Sequence, residues 1–319
     1  MATVGGLLAA GTDRLRAAGS PSARLDAELL LAHALGTDRT GVLAHPDGLA
    51  GDGPAARFAA SLERRAAGEP VAYIRGMKEF HGLALGVDAR ALVPRPETEL
   101  LVDLALEVLV DVLGRAPRPA GTSPITVADV GTGSGAIGVA IAAALRRRGM
   151  AGEVEIVASD LSADAAALAR ENAVAQGVAD RVGVVVADLL PPAGEAAGLL
   201  RVPDRFDVVC ANLPYIRTGD LAGLPAPVRF EPPEALDGGP DGLTVIRRLL
   251  ALLPDRLDDG GLALVEIGSD QVDAIGDAAV ALLPGWSCEV VADLAGLPRI
   301  ARIARIARVV PETRPEAGR

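Results

Sequence analysis

Lysine is almost missing from this chain of 319 residues: Lys78 is the only one, and arginine carries the rest of the positive charge. Cysteine is nearly as scarce. Cys210 and Cys288 lie far apart, which excludes a disulfide framework and any cysteine-based metal site and fits reduced thiols in a cytoplasmic protein. His33, His45 and His81 are equally scattered, so no metal-ligand spacing is present and no metal is expected. Aromatic residues make up 2%, so the 50% hydrophobic content reflects small side chains, alanine above all. No apolar run approaches the ~18–20 residues of a spanning helix, and Met1-Ala2-Thr3-Val4-Gly5 does not open a secretory signal. Acids outnumber bases 42 to 31, a net charge of −11 that repels phosphate backbones and disfavours nucleic acid as a partner.

What is present is organised in three parts. Residues 1–70 carry short amphipathic helical patterns: Leu25, Leu29, Leu30 and His33 share a helical face that Gly36 ends, and Phe58, Leu62 and Arg65 follow in a helix from about Pro54 to Gly68. They predict a small helical domain for partner recognition. Residues 71–93 turn β-prone, with Val71-Ala72-Tyr73-Ile74 and Leu83-Ala84-Leu85-Gly86-Val87 punctuated by glycine, the pattern of a β-hairpin linker. Residues 94–319 form the third part. It opens on Pro94-Arg95-Pro96-Glu97-Thr98-Glu99 and a helix bearing Leu100, Leu101, Leu104, Val108, Leu109 and Val112. After the Pro/Gly-rich stretch 116–124, apolar runs at 125–130, 154–159, 182–187 and 206–211 alternate with helical patterns at 136–147 and 163–176. Strands apolar on both faces between helices predict a parallel sheet covered on both sides. Runs at 262–267, 287–291 and 300–309 bring the strands to seven, ahead of a loose C-terminal tail.

The first of these strands runs into Asp129-Val130-Gly131-Thr132-Gly133-Ser134-Gly135, glycines placed where backbone turns tightly toward a ligand at a helix N-terminus. Gly133 to Gly138 also satisfy the dinucleotide fingerprint, so a hydride-transfer enzyme is a competing reading. Three acids separate the two. Asp129 at the strand end disfavours a pyrophosphate and favours ammonium and sulfonium groups. Asp160, closing the second strand, suits ribose hydroxyls, and Asp188, closing the third, suits an adenine amino group. The bland alternative for Asp160 and Asp188 is helix capping. Acids after three successive strands favour a cationic, phosphate-free nucleoside, S-adenosylmethionine, with Gly131, Thr132, Gly133, Ser134 and Gly135 beside it.

The tetrad Asn212-Leu213-Pro214-Tyr215 follows the fourth strand and points to methylation of a planar nitrogen. An amino or carboxamide nitrogen on an sp² carbon has a delocalised lone pair and is a poor nucleophile. Two acceptors, the Asn212 side-chain oxygen and the Leu213 carbonyl, would fix both N–H bonds and align the nitrogen for attack. Pro214 would stiffen the turn, and Tyr215 would stack on the planar group near the sulfonium. Cys210, inside the preceding strand, reads as a small buried hydrophobe.

These residues resemble the bacterial release factor glutamine methyltransferases, the HemK/PrmC family. The resemblance runs through Asp26-Ala27-Glu28-Leu29-Leu30, Glu69-Pro70-Val71-Ala72-Tyr73-Ile74-Arg75-Gly76, Val93 to Glu99, the glycine loop, the tetrad, Glu231-Pro232, Ala235 to Gly239, Asp241-Gly242-Leu243 and Glu266-Ile267-Gly268. It implies a class I S-adenosylmethionine-dependent methyltransferase fold, Rossmann-like with a mostly parallel seven-stranded sheet. The implied reaction carries a methyl to the side-chain amide of the glutamine in the Gly-Gly-Gln loop of peptide chain release factors and leaves S-adenosylhomocysteine. The implied partners are release factors engaged by the helical domain, the chain acting as a monomer. Thr98 is implied near the methionine end of the cofactor and Leu189 near its adenine. Leu213 stands where the family usually has proline, which keeps the carbonyl and loses rigidity; Leu189 replaces a frequent aromatic. Ribosomal RNA adenine N6-dimethylases share the form Asn-Leu-Pro-Tyr, but their glycine loop lies near the N-terminus and they tend to be basic. A sister enzyme acting on a ribosomal-protein glutamine typically lacks the Pro-Glu-Thr-Glu ending. A cofactor-binding protein without activity is the rival of another class.

Overall fold

The computed structural model describes residues 2–114, 123–195 and 201–306. It opens with five helices, α1 (Val4–Ala17), α2 (Ala23–Leu35), α3 (Arg39–Ala44), α4 (Asp52–Ala66) and α5 (Val71–Arg75). Leu15, Leu30, Leu31, Phe58 and Ile74 form their common core. Thr3 caps α1 by accepting from the Gly6 amide, and Gly36 ends α2 at φ 68, a left-handed conformation that glycine adopts without steric cost.

Two expectations fail here for physical reasons. The buried face of α2 is Ala23, Ala27, Leu30, Leu31 and Ala34, whereas Leu25 is 42% exposed and His33 faces solvent. In an alanine-rich helix the small residues mark the packed face, because they let neighbouring helices approach, and leucines alone misplace it. Val71-Ala72-Tyr73-Ile74 is the helix α5, not a strand. Pro70 and Gly76 bracket a single turn or so, and the burial of Ile74 in the helical core and of Tyr73 against Val87 and Val93 overrides local β propensity. The linker hairpin therefore begins later, as β1 (Met77–Phe80) and β2 (Leu83–Gly86).

Asp26 and Glu28, both acids of the first family-like segment, are buried and structural. Asp26 accepts from Ser20, Ser22 and, at 2.7 Å, the equally buried Arg65 guanidinium; Glu28 accepts from Arg24 and Arg39.

After a 3₁₀ turn at Pro96–Thr98 come α6 (Glu99–Gly114), β3 (Ile125–Val130), α7 (Ala136–Arg147), β4 (Val154–Asp160), α8 (Ala163–Ala175), β5 (Val182–Val186), β6 (Phe206–Ala211), α9 (Thr244–Arg256), β7 (Leu257–Glu266), α10 (Val272–Leu282), β8 (Trp286–Ala292) and β9 (Pro298–Arg305). The seven strands pair in the order β8-β9-β7-β6-β3-β4-β5, and only β9 runs against the rest. β7 starts five residues earlier than the apolar run suggested. Most of the Pro/Gly stretch at 116–124, the end of the run at 300–309 and the C-terminal tail lie outside the described residues.

The chain builds β3, β4 and β5 outward, then crosses back to add β6 on the other side of β3. That reversal opens a crevice at the carboxyl ends of β3 and β6, where ligands bind in open α/β sheets. Register fixes what lines it. Val130 pairs with Ser159 and Ala211, Asp160 with Val186, and Ala211 with Val265. The next residues along, Gly131, Asp160, Asn212 and Glu266, consequently form one row along the carboxyl edge.

Replacing Asp26 by alanine would leave the Arg65 guanidinium buried without its carboxylate. The expected loss is about 3–5 kcal/mol, measured by urea denaturation; a loss below about 1 kcal/mol would show that Arg65 finds other partners.

Candidate active site

A cavity of 430 Å³ occupies the crevice. Its wall includes Thr98, Gly131, Thr132, Gly133, Ser134, Asp160, Asp188, Leu189, Asn212, Leu213 and Pro214, which gathers eleven of the fourteen residues singled out in the sequence. Asp129, Gly135 and Tyr215 stand behind it.

The glycine loop spends its amides on itself. Thr132 donates to the Ser159 carbonyl, Gly133 to Asp160 Oδ2, Gly135 to the Thr132 carbonyl, and Gly138 to Asp129 Oδ2. A pyrophosphate at this loop would find those four amides taken and the Asp160 carboxylate in the cavity wall, which disfavours a dinucleotide despite the fingerprint. Asp129 is wholly buried and also accepts from Thr132 Oγ1 at 2.6 Å, while its Oδ1 has no partner within the protein. Burial pushes its pKa up to about 6, against the pull of the Thr132 and Gly138 hydrogen bonds. Its direct role is to brace the loop. Asn172 on α8 adds a second brace, donating to the Ser134 and Gly86 carbonyls and tying the loop to the hairpin.

Asp160 lines the cavity and accepts from the amides of Gly133 and Ser162. It does not cap α8, since that task falls to Ser162. Burial raises its pKa, with the nearby charge of Glu234 acting in the same direction. Asp188 is half exposed, lines the cavity and is ion-paired through Oδ2 with Arg248 at 2.5 Å. Leu189 has φ 61, a left-handed backbone rare for a leucine and costing on the order of 1–3 kcal/mol. Its carbonyl accepts from Ser159 Oγ at 2.7 Å, which holds the turn in place.

Across the crevice, Asn212 Nδ2 donates to Thr98 Oγ1 at 2.9 Å, and Thr98 donates to Glu266 Oε2 at 2.7 Å. Tyr215 packs on the core beneath the turn, and its hydroxyl lies 3.4 Å from Glu266 Oε1. The ring therefore buttresses the turn and does not form part of the cavity wall as the stacking expectation required. Burial raises the Tyr215 pKa to about 12, keeping the phenol neutral. Leu213 contributes more than a carbonyl. Its side chain is buried, and a Cβ on Gly131 would lie 2.9 Å from Leu213 Cδ2, so the tetrad and the glycine loop touch where only glycine fits. Buried Glu231 accepts from the Val93 amide and from Arg95, drawing the segment that carries Thr98 over the cavity.

Glu266, Glu231 and Asn172 were not singled out as site residues. Glu266 carried a usable signal, an acid closing an apolar strand, the same pattern that marked Asp129, Asp160 and Asp188. Glu231 and Asn172 act only through contacts remote in sequence, which no local pattern encodes. Among the described residues no group of His, Cys, Asp and Glu is arranged to hold a metal ion.

A family model described as the PrmC N-terminal domain matches residues 6–76, the five helices. The chain is 40% identical over 286 residues to the release factor glutamine methyltransferase of Moorella thermoacetica, covering 90% of this chain and 93% of that one. It is 39% identical over 301 residues to that of Rhodopirellula baltica, covering 93% and 95%, and 41% identical over 293 residues to that of Deinococcus radiodurans, covering 92% and 95%.

Because folding raises the pKa of Asp129 from its ordinary 3.8 to about 6, its contribution to stability is complete below 3.8 and is lost as pH rises through about 6. The loss is on the order of 3 kcal/mol, at 1.36 kcal/mol per pH unit. Asp129→Asn removes the titration. The stability of wild type relative to this variant is therefore expected to fall between pH 4.5 and 7.5 in urea melts; a flat difference would mean that Asp129 does not titrate in this window.

Proposed function

The chain belongs to the release factor glutamine methyltransferase family, and we propose that it transfers a methyl group from S-adenosylmethionine to the side-chain amide nitrogen of the glutamine in the Gly-Gly-Gln loop of peptide chain release factors. The observation that carries this reading is the side-by-side placement of Asn212 and the glycine loop: Asn212 gives its Nδ2 hydrogen to Thr98 and keeps Oδ1 as an acceptor, one strand away from Gly131.

The residues fit the cofactor on physical grounds. Four amides at the loop and helix start are satisfied internally, which disfavours a phosphate there, and the wall's arginines Arg90, Arg95 and Arg248 are each paired with a carboxylate, leaving Asp160 and Glu234 to favour a cation. Asp160 would hold the ribose hydroxyls. The Asp188–Leu189 turn would contact adenine through its backbone and the leucine side chain, with the Asp188 carboxylate left to Arg248. Bound S-adenosylmethionine supplies an electrophilic methyl on a sulfonium, whose positive charge disappears as the methyl leaves.

The protein's part in the chemistry is orientation and polarisation. Asn212 Oδ1 and the Leu213 carbonyl accept the two N–H bonds of the carboxamide, which turns its nitrogen toward the methyl and raises electron density on it. Neither acceptor is a base, so deprotonation does not precede transfer; the proton leaves to water afterwards. Pro214 and the buried Leu213 side chain keep the carbonyl aimed without adjustment at the moment of reaction. The helical domain supplies the surface that engages the large protein substrate, and the setting is cytosolic.

The test is methyl transfer from radiolabelled S-adenosylmethionine to a full-length release factor. Label on the wild-type factor and none on one whose loop glutamine is alanine is the expected result. Label on a ribosomal protein or RNA in place of the factor would redirect the assignment. Asn212→Ala is expected to lower kcat by about 10²–10³-fold, the cost of removing one such polar contact, with cofactor affinity changed by no more than a few fold. Unchanged turnover would remove Asn212 from the mechanism.

A further inference from the structure

An asparagine side chain offers an oxygen and an NH₂ of nearly equal size, and the tetrad holds a donor nitrogen only when the oxygen faces it. We propose that Glu266 sets this choice as a positioning residue, acting on Asn212 through Thr98. The proposal rests on the amide-methylation reading above and assigns to two further residues the polarity of its acceptor site.

Glu266 ends β7 and is 1% exposed. An ionised carboxylate has no hydrogen to donate, so Thr98 Oγ1, 2.7 Å from Oε2, donates to it. A hydroxyl carries one hydrogen, and that one is now spent. Toward Asn212, 2.9 Å away, the same oxygen can only accept, and only Nδ2 has hydrogens to give. The chain of donors runs Asn212 to Thr98 to Glu266, and Oδ1 is left for the substrate. With an apolar residue in place of Glu266, Thr98 would be free to donate to Oδ1, and the amide would then present NH₂ to another NH₂.

The other carboxylate oxygen receives the Tyr215 hydroxyl, so one side chain fixes both polar ends of the tetrad. Burial raises the pKa of Glu266, with the charge of Glu97 acting in the same direction, while the Thr98 hydroxyl, Arg299 and the Tyr215 hydroxyl pull it back toward the ionised form. The arrangement depends on strand register: Val265 pairs with Ala211, which brings Glu266 and Asn212 to adjacent strand ends, and the turn at Pro96–Thr98 drops Thr98 between them.

The experiment compares Thr98→Val, Thr98→Ser, Glu266→Leu and the Thr98→Val/Glu266→Leu double variant. Each is assayed for kcat and KM toward a release factor and for S-adenosylmethionine affinity by calorimetry, with circular dichroism to confirm folding. Thr98→Val and Glu266→Leu are each expected to lower kcat by about 10²-fold, with KM and cofactor affinity within a few fold. Thr98→Ser, which keeps the hydroxyl, is expected to retain most of the rate, and the double variant to fall no further than Glu266→Leu. Multiplicative losses in the double variant, or a Thr98→Val enzyme within a few fold of wild type, would overturn the relay while leaving release-factor methylation standing. Should wild type fail to label the factor, the relay is still decided by the ¹⁵N side-chain signal of Asn212. Its protons are expected to exchange slowly in wild type and Thr98→Ser and quickly in Thr98→Val; equal exchange in all three would refute it.

Discussion

The pairing of β6 with β3 is the contact on which the rest of the site depends. The strands are remote in sequence, and their union makes the sheet reverse direction. A crevice opens at that reversal because the connections on its two sides lead away from each other. Parallel pairing then carries the same register across four strands, so Gly131, Asp160, Asn212 and Glu266 reach the edge together. A slip of one residue in any of these pairs would turn the side chains of that strand to the opposite face and separate the cofactor loop from the tetrad.

Around this row the protein satisfies many of its polar groups internally. The amides of the glycine loop close on Ser159, Asp160, Thr132 and Asp129, and Leu189 is held in a strained backbone by the same Ser159. Rigidity matters more here than acid or base strength. A carboxamide is activated by being held and polarised, and a site that reorganised during transfer would return that advantage to solvent. In the helical domain, the buried Asp26–Arg65 pair and the buried Glu28, held by two half-exposed arginines, show the same economy of unpaired charge far from the crevice.

Much of this was legible before any coordinates. Apolar runs of strand length alternating with helical patterns located all seven strands, and the glycines after the first of them marked a loop that lines the crevice. Legibility failed where burial, not pattern, decides. Leu25 and Leu29 looked like a core stripe, but alanines fill that role in α2; Val71 to Ile74 looked extended, but packing made it a helix. The ion pair of Asp188 with Arg248 went unread because nothing in its neighbourhood announces an arginine sixty residues away. Tyr215 was placed against the substrate because the sequence does not say which side of the turn its ring takes.

The sequence by itself determined which groups are available: a loop without side chains at its tight turns, acids closing strands, and an asparagine carbonyl next to a backbone carbonyl. Those are properties of residue type and of order along one segment, so local physics reads them. Only the tertiary structure decided which acids face the cavity, which ones brace it from behind, and which way Asn212 turns its amide. Those outcomes are set by hydrogen bonds between Thr98, Asn212 and Glu266, brought together from three distant segments by strand register and by the turn at Pro96–Thr98.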